Sequence, residues 1–486
     1  MERRISLKKN MVLNAGLAVT SMVFPIITFP YISRVLNPDG LGKVQFVTSV
    51  VAYFAMIAGM GIQTYATREC AKVRDDRESL SRIVHELLMV NAITMAVAYV
   101  ALFTFVLLVP KAHGNELLYF IIGLGIFFDC MGAEWLYTAK ELFTYKTLRT
   151  IVFHLLALIA TFVFIRRSED YLIYGMVLVL PSVGNGLLNM INMRKHIIMK
   201  NVGGYHPSVH VKAVLVFFAL AAATKIYLNL DTVMLGFIKG DTEVGYYTAA
   251  IKIKTVLVAM VTSASAVLLP RTSSYVEKGN MAGLRYVITK TLHLAIILSS
   301  SAAAFFMIFA DETIMILSGE AYMPAAMPMR IITPAVIFIA LTDIMGLQLL
   351  VPLGSEKKVV ASVVAGASMD LIVNLLLIPR YGASGAAIGT VAAEAMVFAV
   401  QLVMLYKLGY RLFREIRHWV IILALALSVI SSVVVRMFVG GYILRFIIGG
   451  VVFFTVDAIM LLLLKDRMAV ELLGIAKRRL CNRRMV

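Results

Sequence analysis

Among the ionisable side chains that interrupt the long apolar runs of this 486-residue chain, ten are candidates for function: Asp129, Glu134, Lys225, Asp231, Lys252, Lys254, Asp343, Asp370, Glu394 and Asp457. In hydrocarbon each costs several kcal/mol unless it meets a partner, a ligand or a water-filled path. Lys225, Lys252 and Lys254 could form a cationic site. Asp231, Asp129 and Glu134 could then balance that charge or carry a coupling ion. Spacing limits the combinations. Lys225 and Asp231, six residues apart, differ by about 600° of helical rotation and so share no face. Lys252 and Lys254 point about 200° apart, so one of them at most faces a given cavity. Asp231 follows Asn229 in a polar patch, and structural pairing is as open there as proton coupling. Asp370 and Asn374, at i and i+4, read as hydrogen-bonding partners across helices.

Uncharged stripes supply a second set. Asn185, Asn189 and Asn192 fall at i, i+4 and i+7, while Asn10, Asn14, Ser21 and Thr28 repeat on nearly one face of another run. Such faces must meet water or protein. Asn14, Ser21, Thr28, Asn185 and Asn189 therefore read as the polar lining of a cavity, with helix–helix adhesion as the alternative. Nothing resembles a metal site, and the sequence implies no cofactor. Cys70, Cys130 and Cys481 lie far apart in no ligand spacing.

The elements that hold these residues are apolar helices. The chain is 60% hydrophobic and 15% charged, with mean hydropathy +0.87, so lipid is its solvent. Windows of about 20 apolar residues can be laid at 11–33, 44–66, 84–109, 116–138, 148–166, 171–192, 213–238, 243–269, 285–309, 328–352, 358–379, 384–406, 418–438 and 442–464. An all-α polytopic membrane protein with about fourteen transmembrane helices follows. The runs lack the period-2 alternation of a β-barrel. Pro25 and Pro30 should bend the first span.

Charge tests that count independently, because cytoplasmic loops collect Lys and Arg. With the N-terminus inside, 33 of the 46 basic residues fall on cytoplasmic segments, Arg149 and the neighbours of Cys70 among them, ten fall outside, and three are left in the membrane. The net charge of +18 is thus a topology signal rather than a nucleic-acid footprint. Both termini are expected on the cytoplasmic side of the membrane. Loops are short, with no phosphate loop, zinc pattern or nucleophile elbow, so neither an ATP-driven pump nor an enzyme with catalytic residues is indicated.

A faint repeat relates the stretch from Arg34 to Lys43 to that from Lys239 to Tyr247, aligning Gly42 with Gly245; six spans separate them. Together with Tyr174-Gly175 against Gly385-Ala386, it suggests two six-helix halves. These are placed at 1–212 and 213–410, followed by two additional helices and a basic tail at 411–486.

Phe29-Pro30-Tyr31-Ile32-Ser33-Arg34-Val35-Leu36 with Gly40 and Gly42, the run Asp231 to Gly236 with Gly245-Tyr246-Tyr247, Pro352-Leu353-Gly354, and the run Asn374 to Gly382 with Gly385-Ala386-Ala387 resemble the bacterial oligosaccharide flippases. These form the polysaccharide-export branch of the superfamily that contains the MATE drug antiporters. The resemblance covers about residues 7 to 465. It implies a MATE-like fold of two six-helix bundles in a V around a central cavity, working by alternating access. It also implies translocation of undecaprenyl-pyrophosphate-linked oligosaccharide repeat units to the outer leaflet, with H+ or Na+ as the coupling ion and polysaccharide polymerase machinery as a partner. Three intramembrane lysines suit a pyrophosphate. A MATE-like exporter of cationic drugs or metabolites is the alternative.

Overall fold

The computed structural model describes residues 7–263 and 268–474. Every regular element among them is helical. In chain order these are α1 (Leu7–Gly59), α2 (Ile62–Lys72), α3 (Arg77–Leu108), α4 (Glu116–Met131), α5 (Glu134–Ala139), α6 (Phe143–Phe164), α7 (Tyr171–Met193), α8 (Ser208–Ile238) and α9 (Asp241–Thr262). There follow α10 (Leu269–Glu277), α11 (Met281–Ile308), α12 (Ala310–Ser318), α13 (Ala326–Ile332), α14 (Ala335–Asp343), α15 (Glu356–Tyr381), α16 (Ala383–Lys407), α17 (His418–Phe438) and α18 (Tyr442–Leu463). The chain divides into two units, Met1–Gly245 and Tyr246–Val486.

Among the described residues, ten helices are long and apolar enough to cross a membrane, or eleven if a pair bent by 46° counts as one span. This is compatible with fourteen. The first two expected spans share α1, a 53-residue run. At about 1.5 Å per residue that run would far exceed a bilayer core of about 30 Å. It breaks at Asn37, whose backbone is non-helical at φ 57°, just before Pro38. The fourth span divides into α4 and α5 around Gly132 and Ala133. The seventh contains residues of α8 whose side chains are not described, and the tenth is the bent pair Glu320–Ile332 and Ala335–Leu350, which ends in a π-helical turn at Ile344–Leu350.

In the first unit, α2, α3, α5 and the start of α8 enclose a core of Tyr65, Cys70, Leu80, Leu87, Trp135, Leu136 and Tyr137. Asp76 caps α3 by accepting from the Glu78 amide at 3.0 Å. Cys70 is wholly buried here, so it cannot report on membrane sidedness by thiol labelling. The two repeat-related segments also meet. A Cβ on Gly42 would lie 1.7 Å from the Asp241 carbonyl oxygen, and one on Gly245 would lie 2.1 Å from that of Pro38. Only glycine permits this reciprocal approach. Lys111 closes the same place with a 2.8 Å salt bridge to Asp241.

In the second unit, α15 and α16 pack as a hairpin turned at Gly382 (φ 54°), and Phe305, Phe309 and Phe453 form a cluster joining α11 to α18. The last two helices are fastened by charge. Arg436 of α17 pairs with Asp311 and Glu312 of α12 (Nε to Oε1 2.9 Å for Glu312), and Arg330 pairs with Asp311 at 2.6 Å. Asp457 of α18 accepts from the Ser301 hydroxyl of α11 at 2.7 Å. Past α18, burial alone would raise the Asp466 carboxyl, but His293 at 2.9 Å and the Met468 and Ala469 amides hold it below the usual carboxylate range.

Two outcomes are expected. Gly42→Ala and Gly245→Ala should each destabilise the detergent-solubilised protein by about 1–3 kcal/mol in thermal unfolding. Gly440→Ala, whose Cβ would meet nothing within 4 Å, should leave it unchanged. For sidedness, cysteines at the exposed positions Asp75 and His113 replace the buried Cys70: in spheroplasts an impermeant maleimide should label His113→Cys at once and Asp75→Cys only after the membrane is opened.

Candidate functional site

The first unit gathers its polar groups at the break in α4. Ala133 adopts φ 42° there, a left-handed conformation that costs an alanine roughly 1–2 kcal/mol. Gly132 and Gly186 let the break press against α7: a Cβ on Gly186 would lie 2.4 Å from the Phe128 carbonyl oxygen, and one on Gly132 would lie 2.8 Å from the Cα of Gly186. The turn places Glu134 at the start of α5, where the positive end of the helix favours a carboxylate. Arg149 of α6 donates to Glu134 Oε2 at 2.7 Å, Lys146 Nζ lies 3.1 Å from Oε1, and Asn189 Nδ2 donates to Oε2 at 2.9 Å. The same guanidinium donates through Nε to Asn185 Oδ1 at 2.7 Å and through Nη1 to Asn189 Oδ1, and lies over the Tyr145 ring at 5.1 Å. Tyr137 donates to the Asn189 carbonyl at 2.6 Å.

Glu134, Asn185 and Asn189 are thus brought together, through a residue that the sequence pattern assigned to a cytoplasmic loop. Arg149 retains only 3% of its side-chain exposure. Its detectable signal was the i, i+4 asparagine pair on α7, which matches a planar donor fork. Two basic residues against one carboxylate leave the cluster positive, and Glu134 keeps 32% exposure, so it opens on one side.

One turn earlier on α4, Asp129 is hydrogen-bonded by Ser182 of α7, and Lys225 of α8 lies within electrostatic reach of the same carboxylate. Lys225 is exposed. Asp231, also on α8, is half-buried and has contacts of its own. Thr28 is buried and returns its hydroxyl to the Phe24 carbonyl at 3.0 Å. Asn14 and Ser21 lie outside the residues whose side chains are described.

Lys252 and Lys254 occupy α9 in the second unit, both half-buried, and Lys252 engages neighbours. The unit that holds Lys225 therefore does not contain them. Asp370 and Asn374 are wholly buried along α15 against Gly389 of α16, where a Cβ would lie 2.2 Å from Asn374 Oδ1. Tyr247 and Thr390 share a 2.8 Å hydrogen bond. Among the described residues no group of three or more His, Cys, Asp or Glu side chains is placed to hold a metal.

The family described as "Polysaccharide biosynthesis protein" matches residues 7–276. The protein named "Putative O-antigen transporter" from Escherichia coli (strain K12) is 23% identical over 411 residues, covering 82% of this chain and 96% of that protein. Among solved structures, "Lipid II flippase MurJ, inward closed conformation" superposes with a TM-score of 0.75 at 12% identity, covering 94% of this chain and all of that one. A multidrug resistance MATE family transporter of the MOP superfamily, in an inward-facing conformation, gives 0.61 at 14%, covering 83% and 99%. The MATE-like helical fold is therefore observed.

Arg149→Met should strand Glu134 and lower thermal stability by roughly 3 kcal/mol, the cost of breaking a buried pair from one side. Adding Glu134→Gln should recover part of that loss. Equal melting temperatures for the single variant and the wild type would assign Arg149 no structural role.

Proposed function

The chain belongs to the polysaccharide biosynthesis protein family, and we propose that it is a flippase. It carries undecaprenyl-pyrophosphate-linked oligosaccharide repeat units from the cytoplasmic to the outer leaflet of the bacterial inner membrane by ion-coupled alternating access. Surface polysaccharide biosynthesis is then its setting, and a polymerase on the outer face would consume its product. The observation that carries this reading is Lys225, an exposed ammonium on α8, in the seventh expected span. A lipid pyrophosphate that leaves the aqueous leaflet loses hydration, and a cation in a partly hydrated path replaces some of it. The positive cluster of Lys146 and Arg149 around one carboxylate supports an anionic cargo in the same unit. The O-antigen transporter match, spanning nearly all of its relative, supports a lipid-linked glycan over a drug. An exporter of cationic drugs would be served better by unopposed carboxylates.

In a strain without a redundant flippase, deletion of the gene should leave undecaprenyl-linked repeat units on the inner leaflet and abolish the matching surface glycan. Normal surface glycan would overturn the reading, and ion fluxes driven by organic cations in proteoliposomes would favour the drug exporter. Within that assay Lys225→Gln should reduce translocation by about tenfold, the effect of losing roughly one charge-assisted contact of 1.5 kcal/mol, at near-normal protein level, while Lys225→Arg keeps part of it. Full activity in Lys225→Gln would remove Lys225 from the substrate path.

A further inference from the structure

α3 is 32 residues long, about 48 Å at 1.5 Å per residue, and overshoots a hydrocarbon core of about 30 Å. Its first turns carry Arg77, Glu78, Arg82, His85 and Glu86, and the apolar run follows from Leu87. The excess therefore lies at this end, and His85 sits at the level of the lipid head groups. An open cavity of about 470 Å3 occurs there, lined in part by His85, Met89 and Ala92 of α3 and by Met199, Asn201 and Tyr205 of the connection from α7 to α8. Small-molecule sites span about 300–1,000 Å3. Arg82, His85, Met89 and Ala92 follow the three- and four-residue steps of one helix face. The polar end of this face offers donors. The Val202 amide donates to the Tyr205 hydroxyl at 2.9 Å, and that hydroxyl lies 3.0 Å from His85 Nδ1. Were Nδ1 the donor, the phenolic proton would have no partner among the described residues; Tyr205 therefore donates, and the ring proton stays on Nε2 for an occupant of the cavity. Asn201 accepts from the Gly203 amide through Oδ1 at 2.9 Å, which leaves its own N–H groups to donate. Arg82 Nε is buried without a hydrogen-bond partner and faces the same connection, since a Cβ on Gly204 would lie 3.8 Å from it. Lys200 is exposed between Met199 and Asn201. No carboxylate lines the cavity. Glu78 meets Arg82 Nη2 at 3.4 Å in an exposed pair, and Glu86 is occupied by the His206 amide at 2.7 Å and His210 Nε2 at 2.8 Å.

We propose that this cavity binds one anionic phospholipid of the surrounding leaflet, with its phosphodiester on Arg82, His85 Nε2 and Asn201 and its acyl chains along Met89, Ala92 and the exposed Ile93, Val97 and Val100 of α3. A phosphodiester accepts hydrogen bonds and donates none, so it complements a site that presents donors and no carboxylate. An anionic head group keeps the full attraction of Arg82 and Lys200, whereas a zwitterionic one brings a cation that meets no carboxylate in the cavity. Soluble phosphate would gain nothing from Met89, Ala92 and Met199. The lipid would tie α3 to the connection that leaves α7, adding to the Ile198 amide on Ser81 Oγ at 2.8 Å and Arg77 Nη2 on the Ile197 carbonyl at 3.4 Å. This site is independent of the flippase reading.

The test titrates delipidated, monodisperse full-length protein in detergent with dioleoyl phosphatidylglycerol or dioleoyl phosphatidylcholine, reading occupancy by native mass spectrometry and the melting temperature in parallel. Phosphatidylglycerol should bind saturably and about fivefold more tightly than phosphatidylcholine, the effect of roughly 1 kcal/mol from one basic residue, and should raise the melting temperature. Arg82→Gln should weaken phosphatidylglycerol binding by about fivefold. Ala92→Trp, which fills the cavity from an exposed position, should abolish both the binding and the thermal shift. Lys407→Gln, which removes an exposed cation of the second unit, should change neither. If Ala92→Trp does not stay monodisperse, the contrast between Arg82→Gln and Lys407→Gln decides. Equal affinity for the two lipids, unchanged binding in Arg82→Gln, or an equal loss in Lys407→Gln each overturns the proposal. Displacement of the lipid by an equal concentration of glycerol phosphate would reduce the cavity to an anion site, and preferential retention of undecaprenyl phosphate from an equimolar mixture would assign it to a polyprenyl lipid; either result overturns the phospholipid site.

Discussion

Hydrocarbon offers no hydrogen bonds, so every polar group placed in it must find its partner within the chain, in a ligand or in water that the chain admits. The cluster around Glu134 shows what that demands. One carboxylate on a six-residue helix, two basic side chains on α6 and two carboxamides on α7 occupy one another's donors and acceptors. The geometry closes only because Gly132 and Gly186 remove the Cβ atoms that would hold α4 and α7 apart. Packing and polar satisfaction are then a single requirement.

Helix breaks are the points at which that requirement meets function. A continuous helix consumes its own backbone groups, whereas each interruption leaves carbonyls or amides to be satisfied elsewhere. The break at Ala133 aims Glu134 into its network. That at Met60 and Gly61 leaves a carbonyl end beside Asp129 and Asn91. In the second unit, the π-helical turn Ile344–Leu350 ends the bent pair of helices. Non-helical backbone at membrane depth is tolerated only against protein or a cavity, which makes these interruptions the informative positions in an otherwise regular fold.

The charged side chains separate by what they touch. Arg436, Arg330, Asp311 and Glu312 neutralise one another and fasten α17 to α12 and α13; Asp457 holds α18 to α11 through Ser301. Removing one member of such a group strands the rest, which is a structural role. Lys225 is different: it is exposed, and its influence on Asp129 is electrostatic. A charge that the fold leaves accessible on a helix can change partners, which the proposed flippase cycle requires.

The all-helical, membrane-spanning character was legible in the sequence because hydropathy is additive along the chain: about 20 apolar residues suffice to cross a bilayer, whatever they pack against. The polar candidates were legible for the same reason, since a charge in an apolar run stands out locally. The partners were not. Arg149 read as a loop cation because it follows a short hydrophilic stretch, yet tertiary packing buries it between Asn185, Asn189 and Glu134. Cys70 read as part of a hydrophilic segment among basic residues, yet the core of α2, α3 and α5 encloses it. Gly42 and Gly245 could be aligned as repeat equivalents, but their reciprocal contact across some 200 residues exists only once the segments are folded together. Hydrophobicity is a property of a segment. Pairing, exposure and the shape of a cavity belong to several segments at once, and the tertiary structure alone decided them.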